Sequence, residues 1–343
     1  MKSCIIFVIP NSKSEGAQNF FRKLFSTIDY QDKHLIIEEK KGLLKNILLI
    51  NKLRKSSNLT LITTVNSNKL GLIFKCLFPN TQLIARLGNT ISQEIELATL
   101  KYYIHKFFYF CLIFLSDSFI FQSDYMKKDF IEFFKFKKFK NFNVIHNGTN
   151  IIYDLSRPKK SLMSQNIVNF LLVGSFKPQK GYEIFIEALA ILDDSIKEKS
   201  HFHICGDGAG LQGFQKRVQE LNLENHISCY GDVTPNSFYQ EADVYILPSR
   251  FEGFSNSLIE ALSFGLPSIV SDGPGANKEV IIENLNGILF KNLDAKDLKK
   301  KINFMHQNYT SFSAQQIQHD ANTRFSINKI SSQYKEMIKS KKI

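Results

Sequence analysis

The chain has 343 residues, more than one hydrophobic core ordinarily supports, and 43% of them are hydrophobic, so two domains with separate cores are expected. Its formal charge of +12 is unevenly spread: residues 1–150 hold 22 Lys/Arg against 11 Asp/Glu, and residues 151–343 hold 22 against 21. Five cysteines, an odd number without Cys-x-x-Cys spacing, argue against a disulfide framework or a zinc site and imply a reducing compartment.

Residues 1–10 imitate a signal peptide, but their apolar core is about six residues where ~7–15 are usual, and no cleavage site follows, so they read as a first strand. Residues 60–65, 82–86 and 118–121 read as further strands separated by helical stretches, the alternation that predicts parallel sheets flanked by helices. The longest apolar run, 107–115, is cut off by Lys106 and Asp117, short of the ~18 residues of a spanning helix, so the chain is not expected to cross a membrane.

The segment 127–140 begins at Lys127, ends at Lys140 and interleaves six lysines and two acidic residues with phenylalanines. It reads either as a helix on an anionic membrane surface, each lysine adding ~1 kcal/mol, or as a solvated basic face over an ordinary core helix. No recognition motif accompanies it, so nucleic acid is not taken as a partner. Asn147-Gly148-Thr149 is formally a sequon but reads as a tight turn, and residues 153–161 read as the linker between the halves.

In the second half, residues 170–173, 202–205 and 242–247 read as strands. Gly208-Ala209-Gly210-Leu211-Gln212-Gly213, with Asp232 19 residues on, imitates a dinucleotide fingerprint, but it follows the second strand of its half rather than the first. It is read mainly as a strand-to-helix turn near a nucleotide base. The most informative stretch, 249–262, sets Glu252 and Glu260 eight residues apart across a small, hydroxyl-rich loop running into a helix. Free N–H groups at such a helix start attract a pyrophosphate, and a carboxylate accepts hydrogen bonds from sugar hydroxyls. The same residues also read as a capping box, Ser257 capping the helix and Glu260 reaching back to it from the first turn. Gly265 and Pro267 end the helix.

Glu252-Gly253-Phe254-Ser255-Asn256-Ser257-Leu258-Ile259-Glu260-Ala261-Leu262 resembles the signature of the retaining glycosyltransferase family 4, and 170–183, 203–208, 230–233 and 265–270 resemble further segments of that family in the expected order. The resemblance covers roughly residues 143–290 and is loose before them. It implies an α/β fold of GT-B type, two doubly wound Rossmann-like domains with parallel sheets facing a central cleft. The expected domains are an acceptor-binding one at 1–155, with a C-terminal helix of 323–343 packing back on it, and a donor-binding one at 160–322.

The resemblance further implies that Glu252 binds the transferred sugar, that Glu260 holds the ribose, and that Lys180 with the N–H groups from Gly253 through Phe254, Ser255 and Asn256 to Ser257 holds the pyrophosphate. Gly206, Gly208 and Tyr230 to Val233 would meet the base. Ser175 stands where the family usually has an arginine, leaving Arg250 or Lys177 to substitute. Residues 11–17, with Gly16 their one glycine, occupy the place of a glycine-rich loop, and Arg86 and Asn89 lie on the acceptor side, where many members have a histidine.

The function expected is transfer of a hexose or N-acetylhexosamine from a nucleoside diphosphate sugar, most plausibly a UDP-sugar, to a saccharide or undecaprenyl-linked acceptor. No cofactor is expected. No Asp-x-Asp motif or metal-ligand cluster is visible, so no metal is expected and Lys180 with the helix start would carry the leaving-group charge. The location expected is the cytoplasm, peripheral on the inner face of the membrane. The alternatives are a nucleotide-sugar epimerase on the same fold and a non-catalytic basic binding protein.

Overall fold

The computed structural model describes residues 2–9, 16–37, 42–54, 57–96, 102–135, 141–156 and 167–339. Residues 11–15 of the first-domain loop, 136–140 of the basic segment and 157–161 of the linker lie outside the described residues. Backbone contacts divide the chain into two compact units, 1–150 with 325–343, and 151–324.

The first unit runs β1 (Lys2–Ile9), α1 (Gly16–Thr27), β2 (Lys33–Ile37), α2 (Leu43–Arg54), β3 (Ser57–Thr64), α3 (Asn68–Leu77), β4 (Gln82–Arg86), α4 (Ile91–Glu96), α5 (Tyr102–Leu115), β5 (Ser118–Phe121), α6 (Asp124–Phe134) and β6 (Phe142–Val144). Its sheet of six parallel strands has the order β2-β1-β3-β4-β5-β6. Successive side chains of a strand point to opposite faces, and the sequence uses this twice. Cys4, Ile6 and Val8 of β1 join a core under α2, α3, α5 and α6, whereas Ile5, Phe7 and Ile9 join one under α1.

The second unit runs β7 (Val168–Val173), α7 (Tyr182–Ala190), α8 (Asp194–Lys197), β8 (Ser200–Cys205), α9 (Leu211–Glu220), β9 (Ile227–Cys229), α10 (Asn236–Glu241), β10 (Val244–Leu247), α11 (Asn256–Ser263), β11 (Ser268–Ser271), α12 (Asn277–Val280), β12 (Gly287–Phe290), α13 (Ala295–Asn308) and α14 (Ala314–Phe325). Its sheet, also six parallel strands, has the order β12-β11-β10-β7-β8-β9. That is the doubly wound order, with the chain reversing direction across the sheet between β7 and β10, the place where such sheets open a ligand crevice at the strands' carboxyl ends.

α15 (Ile327–Lys339) returns to the first unit, where Ile330, Tyr334 and Ile338 are buried in the core that α1 covers. Thr149 bridges to Ser326, so the Asn147-Gly148-Thr149 turn is paired to the segment leading into that helix.

The phenylalanines of the basic segment have a structural role. Phe130 is buried with Phe119, Phe121 and Phe142 in an aromatic cluster, and Phe133 and Phe134 pack against the same core. In its described part, 127–135, the segment is therefore a core helix whose outer face mixes Lys127, Lys128 and Lys135 with Asp129 and Glu132, because helical spacing turns these phenylalanines toward the sheet. No helix among the described residues is long and apolar enough to cross a membrane, and all five cysteines are free thiols.

Candidate active site

The sequence-predicted residues of the second unit converge at the carboxyl ends of its strands. Gly174 and Ser175 follow β7, Gly206 to Gly208 follow β8, Ser249 to Glu252 follow β10, and Gly273 to Gly275 follow β11. Lys180 ends a 3-10 turn, Pro178–Lys180, and Gly181 then takes a left-handed φ of 68°. Arg250 N donates to Gln179 O (2.8 Å) and Gln179 Nε2 to Phe251 O (3.1 Å), zipping the lysine's turn to the glutamate's loop.

The result is a close ion pair. Lys180 Nζ lies 2.6 Å from Glu252 Oε1, which also accepts from Ser249 Oγ at 2.7 Å. Glu252 is only 5% exposed. A buried carboxylate is tolerated where a cation and a hydroxyl replace its water, and removing either partner costs more than the pair itself contributes. The lysine stem runs over Gly174, where a Cβ would sit 3.4 Å from Lys180 Cε. Glu252 N donates to Pro274 O (2.9 Å), and a Cβ on Gly275 would fall 1.6 Å from Glu252 O. Gly273-Pro274-Gly275 thus braces the glutamate from behind. Sequence reasoning missed this brace and Ser249, although a Gly-Pro-Gly directly after a buried strand was a readable signal.

α11 corrects the capping-box reading. Its cap is Ser255, whose side chain accepts from Leu258 N, while the Ser257 hydroxyl accepts from Tyr245 Oη at 2.8 Å. Two tyrosines fill the space behind this turn, Tyr239 donating to Ser257 O (3.2 Å), so Ser257 is engaged from below and is unavailable as a cap. Helix start and cap move two residues earlier, and Glu260 falls in the second turn. Burial first, then the Glu260 charge, raises the Tyr239 hydroxyl well above its ordinary pKa. Gly253, Phe254 and Ser255 are buried, whereas Asn256, Ser257 and Glu260 are half-exposed and form the accessible side of the helix start.

The loops expected to meet the base contact one another. Gly206 N donates to Gly231 O, Phe176 N to Asp207 O and Gly210 N to Phe176 O, leaving Tyr230, Val233 and Gly208 exposed along one rim. Tyr230 packs at a tilt against Phe238 and hydrogen-bonds His203 Nδ1 at 2.9 Å. Burial, aided by the charge of His201, pushes His203 down to about 4. Arg250, offered as a substitute for the missing arginine, is ion-paired with Glu183, and Ser175 is half-exposed beside Gly174.

In the first unit, Arg86, expected on the acceptor side, ends β4. It is fully buried, donates to Thr64 Oγ1 at 3.2 Å and to Asn147 Oδ1, and lies over the rings of Phe20 and Phe21. Its charge also acts on Tyr334 of α15, whose hydroxyl burial holds at about 12. Burial lowers the Arg86 pKa as well. Asn89 is half-exposed, its side chain accepting from Thr90 N, and Gly16 is exposed at the start of α1. Among the described residues, Cys4, Asp32 and His34 bring ligand atoms within 4.8 Å of one another. Cys4 sits near the start of β1, the amino edge of the first sheet, whereas Arg86 and Asn89 lie at its carboxyl edge, so this cluster is remote from both.

Residues 156–323 match the family model described as glycosyl transferases group 1. The match spans almost the whole second unit. An uncharacterized glycosyltransferase of Methanocaldococcus jannaschii is 31% identical over 191 residues, 54% of this chain and 49% of that protein. A Campylobacter jejuni enzyme named as an α-1,4-N-acetyl-D-galactosaminyltransferase acting on a diNAcBac-PP-undecaprenol saccharide is 30% identical over 47% of this chain and 42% of its own length. The chain thus spans about half of these relatives or less. The crystal structure of Anabaena Alr3699/HepE in complex with UDP and glucose superposes with a TM-score of 0.77 over 98% of this chain and all of the other, at 18% identity. The fold is GT-B.

Proposed function

We propose that the protein is a retaining family 4 glycosyltransferase that moves a hexose or N-acetylhexosamine from a UDP-sugar to a saccharide or undecaprenyl-linked saccharide in cell-surface polysaccharide assembly, working at the inner face of the cytoplasmic membrane. The observation that carries the reading is the Lys180–Glu252 pair, 2.6 Å apart at the carboxyl end of the second unit's sheet, with Glu260 eight residues on in the second turn of α11. The match to the group 1 model and the UDP complex of a protein with the same fold support it.

In this reading Glu252 accepts hydrogen bonds from the sugar's hydroxyls, and Lys180 exchanges part of its pairing with Glu252 for the donor's distal phosphate. As the bond from the anomeric carbon to the phosphate oxygen breaks, negative charge grows on the diphosphate, and the ammonium stabilises it. The acceptor oxygen bonds to the same face of the anomeric carbon, and its proton leaves with the diphosphate. Glu260 holds the ribose, and the accessible start of α11 adds its dipole. No cofactor and no metal has a part in these steps.

Nucleotide release from a panel of UDP-, GDP- and ADP-sugars, with and without a membrane extract containing undecaprenyl-linked saccharides, tests the proposal. Release of UDP stimulated by the extract is expected. An isomerised donor with no second substrate would make the protein an epimerase, and silence across the panel would remove it from the enzymes.

A further inference from the structure

The outer layer of the first unit has a surface that the transfer reaction does not use. α5 is apolar around nearly its whole circumference, which ordinarily marks a helix buried on all sides. Only one side is buried: Tyr109, Leu112 and Ile113 enter the core, while Tyr103, Phe107, Phe110 and Phe114 recur on the opposite face at 83%, 68%, 47% and 62% exposure. Each such ring leaves ~1.5–3 kcal/mol of burial unrealised, and a contiguous stripe of this kind marks an interaction surface rather than scatter.

The stripe continues onto the neighbouring helices. α3 exposes Ile73 and Leu77 and α2 exposes Leu44 and Leu48, with Arg54 of α2 lying 4.5 Å over the Phe78 ring just past α3. These three helices contain no carboxylate at all, yet they present Lys45, Lys52, Lys69 and Lys106 as exposed cations.

We propose that the first unit docks on an anionic lipid surface through the outer faces of α2, α3 and α5, with the aromatic stripe of α5 seated at the boundary of the acyl chains and the lysines on lipid phosphates. The proposal rests on the peripheral-membrane reading above and replaces its docking element, the basic segment, whose described phenylalanines are spent on the core. Charge selects the occupant. A second copy of the same face would oppose lysine to lysine with no acid to pair them, whereas anionic headgroups contribute ~1 kcal/mol per lysine. Length selects the pose. The 14 residues of α5 extend about 21 Å, less than the ~30 Å of a bilayer core, so the helix lies along the surface.

The chain has no tryptophan, which makes the test direct. Phe110→Trp puts one reporter in the stripe, and Ile152→Trp puts one at a fully solvated position of the second unit. On titration with phosphatidylglycerol vesicles the Phe110→Trp emission should shift to the blue and be quenched by lipids brominated on their acyl chains, while Ile152→Trp stays unchanged and phosphatidylcholine vesicles move neither. Replacing Phe107, Phe110 and Phe114 together by serine should weaken co-sedimentation with phosphatidylglycerol at least tenfold and leave UDP affinity unaltered. No shift with either vesicle, an equal shift with both, or a lipid-free shift that tracks self-association would overturn the proposal. Nucleotide release measured on the same samples separates the two readings: docking without release sinks the transferase and keeps the surface, and release without docking does the reverse.

Discussion

Glu252 and Glu260 are alike in chemistry and differ in what surrounds them. Glu252 is enclosed by Lys180, Ser249 and the Gly-Pro-Gly brace, so its geometry is set before a donor arrives, whereas Glu260 stands half-exposed on a helix. A preorganised carboxylate beside the reacting sugar acts in the transition state, and one on the ribose supplies mostly uniform binding. Glu252→Ala should therefore lower kcat by about 100-fold or more, and Glu260→Ala should raise the donor KM about tenfold with kcat within about threefold. Steady-state kinetics on folded variants check this; both variants within threefold of wild type would take the pair out of the site.

At the scale of elements, two glycines make opposite predictions. Gly275 has φ 129°, and a Cβ there would fall 1.6 Å from Glu252 O, so Gly275→Ala forces the brace and the Glu252 loop apart. A displacement of about 1 Å at a reacting group costs about 100-fold, so kcat should fall by that order even where the protein stays folded. Gly213 lies in α9 with nothing within 4 Å of its missing Cβ. Gly213→Ala should stabilise by about 0.5–1 kcal/mol, because alanine loses less backbone entropy in a helix. Denaturant melts and kinetics of the two variants read both effects. The cap at Ser255 belongs to the same scale: Ser255→Ala should cost about 1 kcal/mol, and Ser257→Ala should act instead through the buried Tyr245 hydroxyl that loses its acceptor.

At the scale of the whole molecule, acid stability depends on His203. Its ring joins Tyr230 Oη to Asn169 Oδ1, and burial holds its folded pKa near 4 against about 6.5 in the unfolded chain. Below about pH 6.5 the unfolded chain binds a proton that the folded chain refuses, so this contribution is full above that pH and is lost as pH falls toward 4. The loss is at most about 3 kcal/mol. Chemical denaturation of wild type and His203→Gln between pH 7.5 and 4.5 should show a shallower decline for the variant; parallel declines would refute the assignment. Turnover should also survive EDTA, because none of the residues with a part in the proposed steps belongs to the Cys4, Asp32 and His34 cluster. Loss of activity restored by zinc would give that cluster a part in the enzyme.

The alternation of strands and helices and the loop carrying Glu252 and Glu260 are readable in the chain before it folds, because each is written in local periodicity and spacing. The strand edges of 82–86 and 118–121 were legible to the residue for that reason. Which polar group meets which is settled by folding. Arg86 reads only as an acceptor-side residue, and it is folding that closes Phe20, Phe21, Asn147 and Tyr334, from three distant segments, around it. Ser257 reads as a cap until Tyr245, twelve residues earlier, takes its hydroxyl. The lysines and phenylalanines of 127–135 carry one pattern for a membrane helix and for a core helix, since periodicity records which residues share a face and not what that face touches. Burial and pairing are relations between segments far apart in the chain, and folding alone brings those segments into contact.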